Sequence, residues 1–84
     1  MIRLRLLSRP GCHLCDRMRD EVDAILAGED RQWEIVNVDA DVELARRYGE
    51  EIPVLFVNDR LFAKVRLPRL ASRIRLRRAA GLAG

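Results

Sequence analysis

Leu6-Leu7-Ser8-Arg9-Pro10-Gly11-Cys12-His13-Leu14-Cys15 is where the chain changes period. Upstream, Ile2, Leu4 and Leu6 alternate with Arg3 and Arg5, the period of two that a half-buried strand needs. Ser8-Arg9-Pro10-Gly11 supplies turn residues that break this strand. From Cys12 onward, at about 100° per residue, Leu14, Cys15, Met18, Val22, Ile25 and Leu26 fall within one third of a helix circumference. Asp16, Asp20, Glu21 and Asp23 load its first half with acid, which the positive end of a helix dipole favours, and Gly28 offers a stop. A strand, a turn and a helix are thus expected, with the cysteines at the helix start.

Working outward, Glu29-Asp30-Arg31-Gln32 reads as a loop and Trp33 to Val38, β-branched and aromatic, as a second strand. Asp39 and Asp41 offer N-caps for a short helix through Leu44, Ala45 and Tyr48, ended by Gly49. Ile52-Pro53 leads into Val54-Leu55-Phe56-Val57, an apolar run suited to a central strand. Asn58-Asp59 fits a two-residue hairpin turn, and Arg60 to Val65 the returning edge strand. Pro68 fits the first turn of a last helix, with Leu67, Leu70, Ala71 and Ile74 on one face. Arg77 and Arg78 rotate back onto that face, so docking should end near Leu76. The order β-α-β-α-β-β-α predicts an α/β domain over residues 1–76, a mixed four-stranded sheet flanked by helices, and a frayed tail over 77–84.

At 84 residues the chain has room for one domain, and 49% hydrophobic with 35% charged residues excludes disorder by composition. Apolar runs are too short to span a membrane. Met1 to Leu7, interrupted by Arg3 and Arg5, does not read as a secretory signal, so a cytoplasmic location is expected. The net charge of +3 is unevenly spread. All 13 acidic residues lie in 1–59, whereas Arg60, Lys64, Arg66, Arg69, Arg73, Arg75, Arg77 and Arg78 leave 60–84 wholly basic. Such asymmetry marks either an acidic or phosphate-bearing partner, or a composition that fills solvated positions with arginine.

A bridge between Cys12 and Cys15 would close almost no loop and stabilise the fold little. In a reducing compartment a C-x-x-C pair is more often redox-active or metal-binding than structural. Thiolate is the nucleophile in disulfide exchange, and a helix N-terminus lowers a thiol pKa to about 3.5–7.5 within such motifs. With Met18 at the centre of the buried face, Cys15 lies about 60° away and Cys12 about 120°. Cys12 is therefore expected at the surface as the attacking thiol and Cys15 beneath it as the resolving one. His13 falls on the solvent side, as a modulator of the site or a bystander. Zinc would need four ligands where the chain has two cysteines and one histidine, so no metal is expected.

Leu6 to Cys15, followed by Val36-Asn37-Val38-Asp39, Tyr48-Gly49 and Ile52-Pro53-Val54, resembles the small glutaredoxin-like proteins of the thioredoxin superfamily. The resemblance covers Ile2 to about Ile74. It implies a thioredoxin-like fold, a Cys12–Cys15 dithiol/disulfide cycle, and a cis-proline loop at Ile52-Pro53 whose backbone pairs with substrate. Arg9 is similar to the basic residue that meets a glutathione carboxylate in the family. With His13, Ile52 and Pro53 it makes the candidate substrate-binding set. The Gly-Gly turn and acidic residue that hold glutathione are replaced by Ala63-Lys64-Val65-Arg66-Leu67-Pro68, and no Trp precedes the cysteines.

The expectation is a monomeric, glutaredoxin-like thiol–disulfide oxidoreductase with no bound cofactor, acting in redox homeostasis on a disulfide-containing protein or small thiol. Glutathione, with its anchor poorly matched, and a separate reductase are the two candidate electron donors. Two alternatives stand beside it. One is a binding module using the basic last quarter for nucleic acid or an acidic protein. Base stacking is disfavoured there, because Phe62 is the segment's one aromatic. The other is a metal or iron–sulfur carrier through Cys12 and an external thiol.

Overall fold

Alternation in β1 (Ile2–Ser8) sends Ile2, Leu4 and Leu6 to one face of a sheet and Arg3, Arg5 and Leu7 to the other. In the computed structural model, which describes residues 1–83, that strand lies inside a four-stranded sheet, between β2 (Arg31–Asn37) on one side and β3 (Val54–Val57) on the other, with β4 (Arg60–Lys64) beyond β3. Helix α1 (His13–Ile25) carries the chain across to β2, parallel to β1. A 3-10 turn (Val38–Ala40) and α2 (Val42–Tyr48) follow. Then come β3, antiparallel to β1, its hairpin partner β4 and α3 (Ser72–Ala79). This is the thioredoxin-like arrangement the resemblance implied.

The main core lies on the Leu4 face. Leu4, Leu6, Leu55 and Val57 from the sheet meet Met18, Val22 and Leu26 along α1 and Leu76 from α3. On the other face Leu7, Val54 and Val38 are buried, and Tyr48 of α2 meets Phe56 edge-on at 6.3 Å between ring centroids. The hairpin turn forms at Asn58 and Asp59, both with positive φ (47° and 70°), a conformation these side chains tolerate.

Several boundaries differ from the sequence reading. Strand β2 starts two residues early and releases Val38 into the 3-10 turn, where Asn37 Oδ1 accepts from the Asp39 N–H at 2.9 Å. Asp41 alone caps α2, accepting from the Glu43 and Leu44 N–H groups at 2.9 and 3.2 Å. Leu14, expected on the buried face of α1, is instead 50% exposed, whereas Met18 and Val22 further along the helix are buried. The last helix starts at Ser72, not at Pro68. Ala71 adopts the left-handed region (φ 56°), which resets the helical phase, so Leu70 and Ile74 face outward and Leu76 enters the core.

The expected frayed tail is docked instead. Ala80 is buried, Leu82 packs on the core and its N–H donates to the Arg77 carbonyl at 2.8 Å. The Arg77 stem lies in the fold while its guanidinium reaches Glu29 at 3.4 Å, so a charge on the inner face did not end the docking. The domain thus continues beyond Leu76; the last residue of that expected tail, Gly84, lies outside the described residues. Among the described residues no helix is long and apolar enough to cross a membrane.

Candidate active site: the cysteine end of the sheet

At the C-terminal end of β1 the chain turns through Arg9, Pro10 and Gly11, and Gly11 takes a positive φ of 79°. The Cys12 N–H donates back to the Arg9 carbonyl at 3.2 Å, closing the turn. Cys12 is the N-cap of α1, not a member of its first turn. Its backbone is extended (φ −84°, ψ 102°) and its Sγ accepts from the Cys15 N–H at 3.2 Å. That N–H is one of the orphan donors of the helix start, so the sulfur fills the place a capping oxygen would take. The two sulfurs are joined as a disulfide. Cys12 is half-buried and Cys15 is 1% exposed, packed in the main core.

Beside Cys12 lies a shallow depression of about 370 Å³ lined by Arg9, Pro10, Cys12, Gly49, Glu50 and Ile52. The Ile52–Pro53 bond is cis. Ile52 forms one wall and leans on the core, whereas Pro53 is buried behind it and its carbonyl accepts from the Val65 N–H at 2.7 Å. Of the candidate set, Arg9, Cys12 and Ile52 meet in this depression. Cys15 lies under it, and His13, exposed on the first residue of α1, stands outside it.

Arg9 is not a free anchor. Its Nε and terminal nitrogen donate to the two Asp39 oxygens, both at 2.9 Å, a fork-to-fork pair. The hydrogen bonds from Arg9 outweigh the desolvation that opposes them and hold the Asp39 carboxyl below its ordinary pKa; the same pair raises Arg9. Asp39 was legible as a helix cap and as part of the Val36-Asn37-Val38-Asp39 motif, not as the partner of Arg9, and neither Gly49, read as a helix stop, nor Glu50 was assigned to the site. The signal for those two was their place just before Ile52-Pro53. A side chain at Gly49 would run into the Ala45 carbonyl, which explains glycine there despite an ordinary helical φ. Among the described residues no three Cys, His, Asp or Glu side chains converge to hold a metal ion.

A family model described as Glutaredoxin-like domain (DUF836) matches residues 3–75, from β1 into α3, including both cysteines and the Ile52–Pro53 step. None of the curated proteins compared with the chain matches it.

Proposed function

The chain belongs to the glutaredoxin-like domain family, and from that premise we propose that it is a thiol–disulfide oxidoreductase in which Cys12 attacks and Cys15 resolves. The family and the C-x-x-C pair establish a redox-type role in general. The observation that carries the finer assignment is the inequality of the two sulfurs. Cys12 caps the helix at the rim of a depression, while Cys15 is sealed in the core.

In the reduced protein the Cys12 sulfur would lie against the Cys15 N–H and the positive end of α1, both of which favour thiolate over thiol. The thiolate attacks one sulfur of a substrate disulfide. A mixed disulfide forms, and the other substrate sulfur leaves as thiolate. Cys15, having lost its proton, then attacks the Cys12 sulfur; the Cys12–Cys15 bond forms and the second substrate sulfur leaves. Two electrons have passed from the dithiol to the substrate, and an external donor must return them.

Glutathione is a poor fit as that donor. Asp39 already occupies Arg9, and the segment after β4 offers neither glycine nor acid. The expected result is slow reduction of the oxidised protein by glutathione relative to a dithiol glutaredoxin run beside it; equal rates would overturn this assignment.

Rapid alkylation across pH, read by mass spectrometry, tests the roles of the cysteines. Cys12 should react first near neutral pH and Cys15 slowly. Cys12→Ser should abolish exchange, and Cys15→Ser should trap a mixed disulfide with substrate. Equal alkylation rates, or no trapped adduct, would remove the mechanism.

A further inference from the structure

A second groove, of about 440 Å³, runs between α1 and the segment joining β4 to α3. Leu14, Met18, Val65, Leu67 and Pro68 give it an apolar floor, and Arg66 and Arg69 stand on its rim. It adjoins the cysteine site on two sides. Leu14 is two residues beyond Cys12 in the first turn of α1, and Val65 hydrogen-bonds Pro53, the neighbour of Ile52.

The wall that carries the arginines is held in an unusual shape. Val65, a β-branched residue, has φ 69°, and the segment ends at Ala71 with φ 56°. Side chains of this kind avoid the left-handed region, and such backbone persists where the surroundings dictate it, often at ligand clamps. Here the Val65 N–H to Pro53 bond at 2.7 Å ties the wall to the cysteine site.

Charge identifies the occupant. Arg3, Arg5, Arg9, Arg31 and Arg46 each bind a carboxylate of their own chain. Among the described residues Arg66, Arg69 and Arg73 bind none, nor do Arg19, Arg47, Arg60, Arg75 and Arg78 elsewhere, but of these Arg66 and Arg69 are the ones that line the groove. The surface around them is greasy as well, with Leu14 50% and Leu70 82% exposed. Guanidinium groups recognise carboxylates by two parallel hydrogen bonds, and an apolar floor takes an aliphatic side chain. Glu21 lines the groove too, but it is engaged by Arg17 at 3.4 Å. No aromatic ring lines the groove, so it lacks the platform on which nucleic acid bases stack.

We propose that this groove docks an acidic polypeptide segment of the substrate protein, with aliphatic residues on Leu14 and Leu67 and carboxylates on Arg66 and Arg69, beside the disulfide presented to Cys12. The redox half of this proposal rests on the exchange reading above; the docking half stands without it.

The test uses two fluorescent, disulfide-free peptides of the same length, one with Leu flanked by Glu and one with Leu flanked by Lys. Binding to the oxidised protein is read by anisotropy. The acidic peptide should bind about tenfold tighter at low salt, with the preference shrinking as salt rises. The double variant R66E/R69E should lose at least roughly fivefold of that affinity. Turnover of hydroxyethyl disulfide with dithiothreitol as electron donor, a reaction with no peptide to dock, should be unchanged in the variant and so reports its fold and cysteines. Equal binding of the two peptides overturns the proposal. So does an undiminished preference in the variant, or binding to phosphatidylserine vesicles with no preference for the acidic peptide. A variant that slows glutathione as much as an acidic disulfide peptide assigns the groove to small thiols and also overturns it. If the unaltered protein fails to turn over hydroxyethyl disulfide, the exchange reading fails, and the anisotropy result still decides the docking half.

Discussion

Arg9 illustrates what a single residue can and cannot announce. Its place before the cysteines was legible, but the carboxylate that occupies it lies thirty positions on, at Asp39. Only the parallel register, which sets Ser8 against Asn37, brings the two together, and no local spacing encodes that pairing. Asp39→Asn should loosen Arg9 and raise kcat/KM with glutathione roughly two- to fivefold, since a charge-assisted pair is replaced by a neutral one. Turnover of hydroxyethyl disulfide with dithiothreitol as donor is the control that should not move. Asp23 offers a second residue-level test. Burial, the largest influence on its carboxyl, pushes the pKa up, but hydrogen bonds from Trp33 Nε1 (2.9 Å) and Arg31 Nε (2.8 Å), with the charges of Arg31 and Arg19, bring it below its ordinary value. A carboxyl depressed in the folded state binds fewer protons than in the unfolded chain. Its stabilisation is therefore present above the unfolded pKa, about 3.9, and is lost as pH falls through the lower folded value. Asp23→Asn should cost about 1 kcal/mol at neutral pH, a figure kept small by partial exposure, and should flatten the acid limb of stability. Urea midpoints at neutral pH and in the acid range, for both proteins, check the sign.

Among the elements, those with a clear period or a demanding turn were readable. β1 alternates strictly, α1 repeats along Met18, Val22 and Leu26, and Asn58-Asp59 turns the hairpin by its tolerance of positive φ. The start of α3 was not readable. Leu67, Leu70, Ala71 and Ile74 imitate a helical face, yet Leu67 enters the core from irregular chain and Leu76 from the helix proper. Tertiary demand from the groove beside α1 overrides the local pattern there. A consequence is that α3 begins poorly. Asp41 gives α2 two capping bonds, whereas the N-cap of α3 is Ala71, left-handed and without a side-chain cap. Glycine adopts that conformation freely and is a better N-cap than alanine, so Ala71→Gly should stabilise the protein by about 0.5–1 kcal/mol after glycine's own entropy cost. A higher thermal midpoint supports this, and a lower one would show that the tertiary contacts already carry the turn.

At the scale of the molecule, an 84-residue chain lives on one core, with total stability on the order of 5–10 kcal/mol. Leu76 is the buried residue of α3 and is wholly enclosed. Leu76→Ala should cost about 2–5 kcal/mol, enough to bring the urea midpoint down by a large fraction of its value. Leu82→Ala should cost a smaller, measurable amount, which a frayed tail would not show. The single tryptophan gives these experiments their signal and also sets its blind spot. Trp33 pairs in register with Leu4, while Cys12 lies beyond Ser8, roughly 13 Å further along the strand at about 3.3 Å per residue. Its indole is held by Asp23, in the last turn of α1, and faces the guanidinium of Arg19, at the middle of that helix, at 5.7 Å. Emission will thus follow unfolding and stay silent on oxidation state. A fluorimeter would take the reduced and oxidised proteins for the same sample, and only a probe that counts thiols can tell them apart.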